Sequence, residues 1–270
     1  MNNTEQINTS SYVHPEAKIG KNVIIHPFVK IEKGVVVGDN CEIHSFVSLL
    51  EGTHLGTDNQ IFEGCVIGAA PQEHVHKKEY TEVYIGNNNV IRENVVINRG
   101  LSLEHPTTIG DHNFVMEGVH ISHDVEIGSR CVFGYSTKIA SFCNIADGVF
   151  IGMLCGINKK CRIGRLSFIS AHTIISKHVP PFVRIGGLGG EWQGVNTTIL
   201  KEHDFSEKSI REILFAYRLI YTQFSLDYIK FKLDGQLPES EVTQEIVQFA
   251  RNCVDKGFAG KEDVNEKKES

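Results

Sequence analysis

Apolar and polar residues along this chain repeat with a period of six. An aliphatic residue followed by glycine occurs at Ile19, Val37, Leu55, Ile67, Ile85, Ile109, Ile127, Ile151 and Ile163, and every interval between successive pairs is a multiple of six. Stepping by six from Val13 to Ile175 visits 28 positions, and 26 of them are Ile, Val, Leu or Phe. The two failures, Glu73 and Glu79, are neighbours in the series. Such a period matches neither a helix, at about 3.6 residues per turn, nor an alternating strand. It predicts a solenoid in which each hexapeptide makes one short strand and one turn, and three hexapeptides close a triangular coil. The aliphatic residue at each step points inward and stacks on its equivalent one coil away.

The turns agree with this reading. "VGDN", "LGTDN", "IGNNN" and "IGDHN" place Gly, Asp and Asn directly after a core aliphatic. These residues tolerate the backbone angles of tight corners. Six of the seven cysteines (Cys41, Cys65, Cys131, Cys143, Cys155 and Cys161) stand two residues before a core aliphatic. Side chains two apart on a strand share a face, so these thiols also point inward, as small hydrophobes.

Two interruptions are expected. "APQEHVHKKEYTE", residues 70 to 82, carries charge where the core needs an aliphatic, which predicts a loop thrown out of the prism. "GLSLEHPTT", residues 100 to 108, is a candidate for a second loop because Pro106 fits poorly inside a paired strand. Loops extruded from a rigid scaffold often carry function. The repeat ends at "SKHVPPFVRIGG", where Pro180 and Pro181 stop the last coil. Beyond it, Phe205 and Ser206 read as a hydrophobic staple and N-cap ahead of the helical run "IREILFAYRLIYTQF". Ser225-Leu226 and Ser240-Glu241 mark the starts of two further helices. The expected organisation is a mainly β parallel helix of hexapeptide repeats over residues 11–184, a connector over 185–205, a C-terminal α-helical domain over 206–257, and a charged tail over 258–270 without fixed structure.

Composition narrows the partners. The formal net charge of -6 leaves no overall basic field for nucleic acid or an anionic membrane surface. The N-terminus "MNNTEQINTSSYVHPE" is polar and lacks the pattern of a signal peptide, and no run of about 18 apolar residues occurs. A cytoplasmic location with reduced thiols is the expectation. Against this acidic background "NKKCRIGR" concentrates Lys159, Lys160, Arg162 and Arg165.

The stretch "GVHISHDVEIG" holds His120, His123 and Asp124. From residue types alone it reads as a catalytic base with its helper, a metal pair, or polar residues on an outer face. A metal site needs three or four ligands, and the nearby coils offer Phe142 and Asn158, so no metal is expected there.

A resemblance decides among these readings. The motifs "HISHDVEIG", "APQE", "IRENVVINRG", "HVPPF", "GVN" at 194 to 196 and "AYRLIY" at 216 to 221 resemble those of the UDP-N-acetylglucosamine O-acyltransferases, left-handed parallel β-helix enzymes at the first step of lipid A synthesis. The resemblance spans roughly residues 11 to 255. It implies a homotrimer with active sites between subunits. The implied reaction moves a 3-hydroxyacyl chain from acyl carrier protein to the sugar 3-hydroxyl, without a dissociable cofactor. It also implies that His123, on the outer face, is the general base, that Asp124 orients it, and that the backbone N–H of Ser141 serves the oxyanion. Gln72, Glu73 and His120 then match substrate-contacting positions and Asn196 one near the nucleotide, and the basic cluster offers a dock for an acidic carrier protein. The chemistry is coherent, since a hydroxyl becomes a competent nucleophile only as a base takes its proton. The sequence departs from the family at Phe142 and Asn158, where His is usual, and at Glu202, where a basic residue is usual. Those departures leave open a paralogue acylating a different nucleotide sugar, for example a 3-amino analogue, or a trimer whose site has decayed to binding or scaffolding.

Overall fold

The computed structural model describes residues 6–73, 80–222, 237–253 and 256–261. Its strands, mostly two residues long, fall into three sheets of eleven, nine and eight strands. Successive strands feed successive sheets: Ile24–Ile25, Lys30–Ile31 and Val36–Val37 belong to three different ones. Up to the C-terminal end, each strand pairs in parallel with the strand one coil on, as Ile25 does with Ile43. The result is the triangular parallel β-helix that the six-residue period predicts.

The core is the stack of aliphatic steps. Ile25, Ile43, Ile61, Ile91, Val115 and Phe133 follow one another along one sheet and are at most 1% exposed. All seven cysteines are buried. Burial pushes the thiols of Cys65, Cys131 and Cys143 up to about 12, which keeps them protonated and inert. The glycine after each aliphatic answers a close approach between coils: a Cβ on Gly38 would lie 2.4 Å from the carbonyl oxygen of Gly56. Corner residues such as Asp124 and Phe142 have φ of 56° and 60°, the left-handed region required at the third residue of a type II turn.

Register measures the two insertions. His120 pairs with Lys138, three hexapeptides on, which is one plain coil. Val96 pairs with His120, four hexapeptides on, and Val66 with Val96, five hexapeptides on. The first insertion leaves the prism after the strand Val66–Ala69 and rejoins it at Val83–Ile85. Glu73 lies in it, off the core, and Glu79 lies outside the described residues. The second lies between Val96–Asn98 and Thr107–Ile109. Here the six-step series misleads. Leu103 falls on a core step, yet it is 59% exposed. An insertion of one whole repeat preserves the frame, so the pattern runs through it unbroken.

At the C-terminal end Val183–Gly186 extends one sheet and turns into an antiparallel partner, Glu191–Val195. Residues 185–205, read as a connector, therefore hold most of this strand pair and a short helix, α1 (Thr197–Glu202). Helix α2 (Glu207–Thr222) starts after Ser206, whose Oγ accepts from the Ser209 N–H at 3.1 Å. It buries Ile210, Ile213, Ala216, Tyr217 and Ile220, a stripe at helical spacing. Helix α3 (Glu241–Asn252) begins at Ser240, whose N–H donates to Thr243 Oγ1 at 3.1 Å. The start read at Ser225 lies outside the described residues. Tyr217 donates to the Pro181 carbonyl at 2.6 Å, and Arg165 makes a two-pronged contact with Glu245 at 2.7 and 3.2 Å, so the helices are fastened to the last coils. No described helix is long and apolar enough to cross a membrane.

Candidate active site at the His123 corner

His123 and Asp124 form a turn between the strands His120–Ile121 and Glu126–Ile127. Their inward neighbours Ile121 and Val125 are fully buried in the core, so the turn itself stands outside it. His123 is nonetheless only 2% exposed, although the sequence reading puts it on an outer face. The cover comes from residues distant in sequence. Phe142, one coil on, sets its ring edge-on to the imidazole at 5.4 Å, and Glu73 reaches over from the first insertion.

Both ring nitrogens are engaged. Nδ1 lies 2.5 Å from Asp124 Oδ2, and Nε2 lies 3.1 Å from Glu73 Oε1. Asp124 is itself buried and held on two sides. Its Oδ2 accepts from the Leu101 N–H at 3.1 Å, and its own N–H donates to Thr107 Oγ1 at 2.9 Å. The second insertion thus grips Asp124 from both of the loop's ends. With Asp124 on Nδ1, the tautomer is set so that Nε2 is the nitrogen able to exchange a proton with a substrate. Lys159 stands 3.1 Å from the same Glu73 oxygen and 5.1 Å from the Phe142 ring centre. The Lys159 ammonium, ahead of His123, holds the Glu73 carboxyl below its ordinary range.

The Ser141 backbone N–H donates to no acceptor among the described residues. Ser141 and Phe142 form the turn one coil above, tied to this corner by Phe142 N–H donating to the His123 carbonyl at 3.3 Å. The Ser141 N–H is available to a negative charge developing beside His123.

His120 is half-buried on the neighbouring strand, with Nε2 2.7 Å from Asn98 Oδ1. Asn98 in turn donates to the carbonyl of Ala70 at 2.7 Å, which anchors the base of the first insertion. Burial first, and then the nearby Lys138, lowers the His120 pKa. Gln72 is exposed on the same loop. Asn196 does not join this group. It caps α1, its side chain donates to the Leu166 carbonyl at 3.3 Å, and its backbone N–H donates to the Phe182 carbonyl, on a different corner of the prism. Asn158 and Glu202 are exposed.

The basic cluster divides. Lys160 and Arg162 are exposed, Lys159 is drawn to Glu73, and Arg165 is occupied by Glu245 and the rings of Phe182 and Phe205. Sequence reasoning missed Asn98, Leu101 and Thr107. The available signal was "INRG" followed by an insertion of one repeat length, but no spacing rule points a loop N–H at Asp124.

Comparison with known proteins follows the same lines. Residues 16–51 and 106–141 match the bacterial transferase hexapeptide family, and residues 178–259 match the second domain of UDP-N-acetylglucosamine O-acyltransferase. The acyl-carrier-protein-dependent UDP-N-acetylglucosamine O-acyltransferase of Halorhodospira halophila is 34% identical over 249 residues, covering 92% of this chain and 96% of that protein. The UDP-N-acetylglucosamine acyltransferase of Bacteroides fragilis 9343 superposes with a TM-score of 0.90 at 40% identity, covering 94% of this chain and 99% of that one. The enzyme from Francisella novicida superposes with a TM-score of 0.84 at 31% identity, covering 90% of both chains. By fold, motifs and identity along nearly its whole length, the chain belongs to the UDP-N-acetylglucosamine O-acyltransferase family.

Proposed function

We propose that this protein transfers a 3-hydroxyacyl chain from acyl carrier protein to the 3-hydroxyl of UDP-N-acetylglucosamine, with His123 as general base. The observation that carries the assignment is the buried pair in which Asp124 Oδ2 holds His123 Nδ1 at 2.5 Å and leaves Nε2 facing the loop. In the reaction the acceptor hydroxyl takes the place of Glu73 at Nε2 and gives up its proton there. Its oxygen bonds to the thioester carbonyl carbon. The tetrahedral oxyanion accepts from the Ser141 N–H, the carbon–sulfur bond breaks, and the proton held on Nε2 leaves with the thiolate. Asp124 stabilises the transient imidazolium. Thioester cleavage supplies the driving force, so no dissociable cofactor enters.

Glu73, displaced from Nε2, remains beside Lys159 as a candidate partner for sugar hydroxyls, and Gln72 and His120 flank it. Asn196 serves the nucleotide in this reading. Because it sits on another corner of its own prism, it would reach a His123 site from a neighbouring subunit, which agrees with a homotrimer whose sites lie between protomers. The cytoplasm, where acyl carrier protein thioesters occur, is the proposed location. Lys160 and Arg162 are the exposed cations of the proposed docking surface.

The test is an acyl-transfer assay of purified protein against a panel of nucleotide sugars, including the 3-amino analogue, with 3-hydroxyacyl carrier protein thioesters of varied length. The expected product is the 3-O-acyl ester of UDP-N-acetylglucosamine. Preferred turnover of the 3-amino sugar would replace the acceptor, and no His123-dependent product from any sugar would overturn the proposal.

A further inference from the structure

The second insertion stands where a plain coil would lie, and the hydrogen bonds at its mouth show what this changes for Asp124. On this corner of the prism the third residue after a core aliphatic donates its N–H to a carbonyl of the coil before. Phe142 donates to the His123 carbonyl at 3.3 Å, and Lys160 to the Ser141 carbonyl at 3.0 Å. Ile97 pairs with Ile121, so the equivalent acceptor for Asp124 is the carbonyl of Arg99. The chain departs into the insertion at that point, and the Asp124 N–H donates instead to Thr107 Oγ1 at 2.9 Å. A side-chain hydroxyl has taken the place of a backbone carbonyl.

The insertion also supplies cover. Asp124 shares its left-handed turn conformation with Phe28 and Phe46, which are 58% and 62% exposed, yet it is itself only 7% exposed. Thr107 is fully buried, on a strand paired with Val83–Ile85. At the mouth of the loop the N–H groups of Gly100 and Thr107 both donate to the Glu82 carbonyl, at 2.9 and 3.3 Å. The two arms run so close that a Cβ on Gly100 would lie 2.3 Å from the His105 carbonyl oxygen. From this closed mouth the Leu101 N–H reaches Asp124 Oδ2, the same oxygen that holds His123 Nδ1.

We propose that Thr107 is a positioning residue for the acyl transfer, a role that rests on His123 being the base. Its hydroxyl fixes the Asp124 backbone while the Leu101 N–H fixes the carboxylate. Together they aim Oδ2 at Nδ1, so that the imidazole keeps Nε2 toward the acceptor hydroxyl. Thr107 acts through Asp124 and His123 and touches no substrate. Its loss should therefore slow the chemical step and leave binding alone, because a base misplaced by a fraction of a bond length loses rate before the site loses affinity.

The experiment compares Thr107→Val, which keeps the shape and loses the acceptor, with Thr107→Ser, which keeps the hydroxyl. Thr107→Ala repeats the test with a side chain too small to clash. Rates are measured per folded molecule, and thermal melts verify that each variant is folded at the assay temperature. Thr107→Val should lower kcat by roughly ten- to a hundredfold with KM for both substrates nearly constant, and Thr107→Ser should return most of the rate. A second readout needs no turnover. In protein with isotope-labelled histidines, the Nδ1 proton shared with Asp124 is assigned by its loss in His123→Gln. Its far-downfield resonance should persist in Thr107→Ser and move upfield or broaden in Thr107→Val. Thr137→Val controls for stability alone: Thr137 is equally buried, its Oγ1 donates to the Gly152 carbonyl at 2.8 Å, and its loss should lower the melting temperature with kcat near wild type. Near-wild-type kcat or an unmoved resonance in Thr107→Val, a Thr107→Ser as slow as Thr107→Val, or an equal loss of kcat in Thr137→Val would each overturn the proposal. His123→Gln, assayed alongside, separates this from failure of the base itself. Activity there removes His123 from the reaction, whereas an inactive His123→Gln beside a fully active Thr107→Val removes only Thr107.

Discussion

Replacing His123 by Ala tests the site more sharply than the sequence alone suggests. For an outer-face histidine the expectation would be lost activity at unchanged stability. The structure predicts both losses. His123 is 2% exposed, and the Asp124 side chain is 3% exposed. Removing the imidazole leaves Asp124 Oδ2 with the Leu101 N–H at 3.1 Å as its one remaining partner among the described residues. An under-satisfied buried acceptor costs about 1–3 kcal/mol. At roughly 2–4 °C per kcal/mol for a chain of this size, the melting temperature should fall by roughly 2–12 °C. Loss of general-base catalysis should lower kcat/KM by about 10²–10⁴, or roughly 3–5 kcal/mol of barrier. The two effects separate with His123→Gln, whose amide can still donate to Asp124 but cannot take a proton. That variant should recover much of the melting temperature and none of the rate. Activity is to be measured well below both transitions, per folded molecule. Rates within a few-fold of wild type in His123→Ala, or a rate that returns with stability in His123→Gln, would refute His123 as the base.

Two other perturbations probe separate parts of the reading. Reversing only the exposed cations, as Lys160→Glu with Arg162→Glu, should raise KM for acyl carrier protein several-fold and flatten its salt dependence, with KM for the nucleotide sugar nearly constant; unchanged donor kinetics at low salt would remove the docking surface. His120 has a folded pKa below its ordinary 6.5, chiefly through burial, so the unfolded chain binds more protons as pH falls. Its contribution to stability is therefore full above that value and is lost as pH drops toward the lowered one, and His120→Gln should show a smaller fall in melting temperature between pH 8 and pH 5; equal slopes in the two proteins would contradict this.

Much of the fold is legible in one chain because a solenoid encodes itself locally. Each coil touches only its neighbours, so the aliphatic step, the glycine beside it and the inward thiols such as Cys131 recur with a period that any reader of the sequence can count. The same locality exposed the first insertion through Glu73 and Glu79. It partly hid the second, because one whole repeat inserted keeps Leu103 in frame while the chain leaves the core. The His123-Asp124 pair was legible as well, since adjacent residues on one turn need no tertiary information to be associated. Its surroundings were not. Glu73 on Nε2, Leu101 and Thr107 on Asp124, and Phe142 over the ring come from other coils and from two loops whose paths no period describes. Their approach is decided by where the insertions fold back on the prism, which turns an exposed turn into a buried corner. Asn196 shows the limit most directly: its position in the chain suggests a place in the site, but its hydrogen bonds to Leu166 and Phe182 put it on a different corner, because the chain reverses at Gly187 and Gly190 before reaching it.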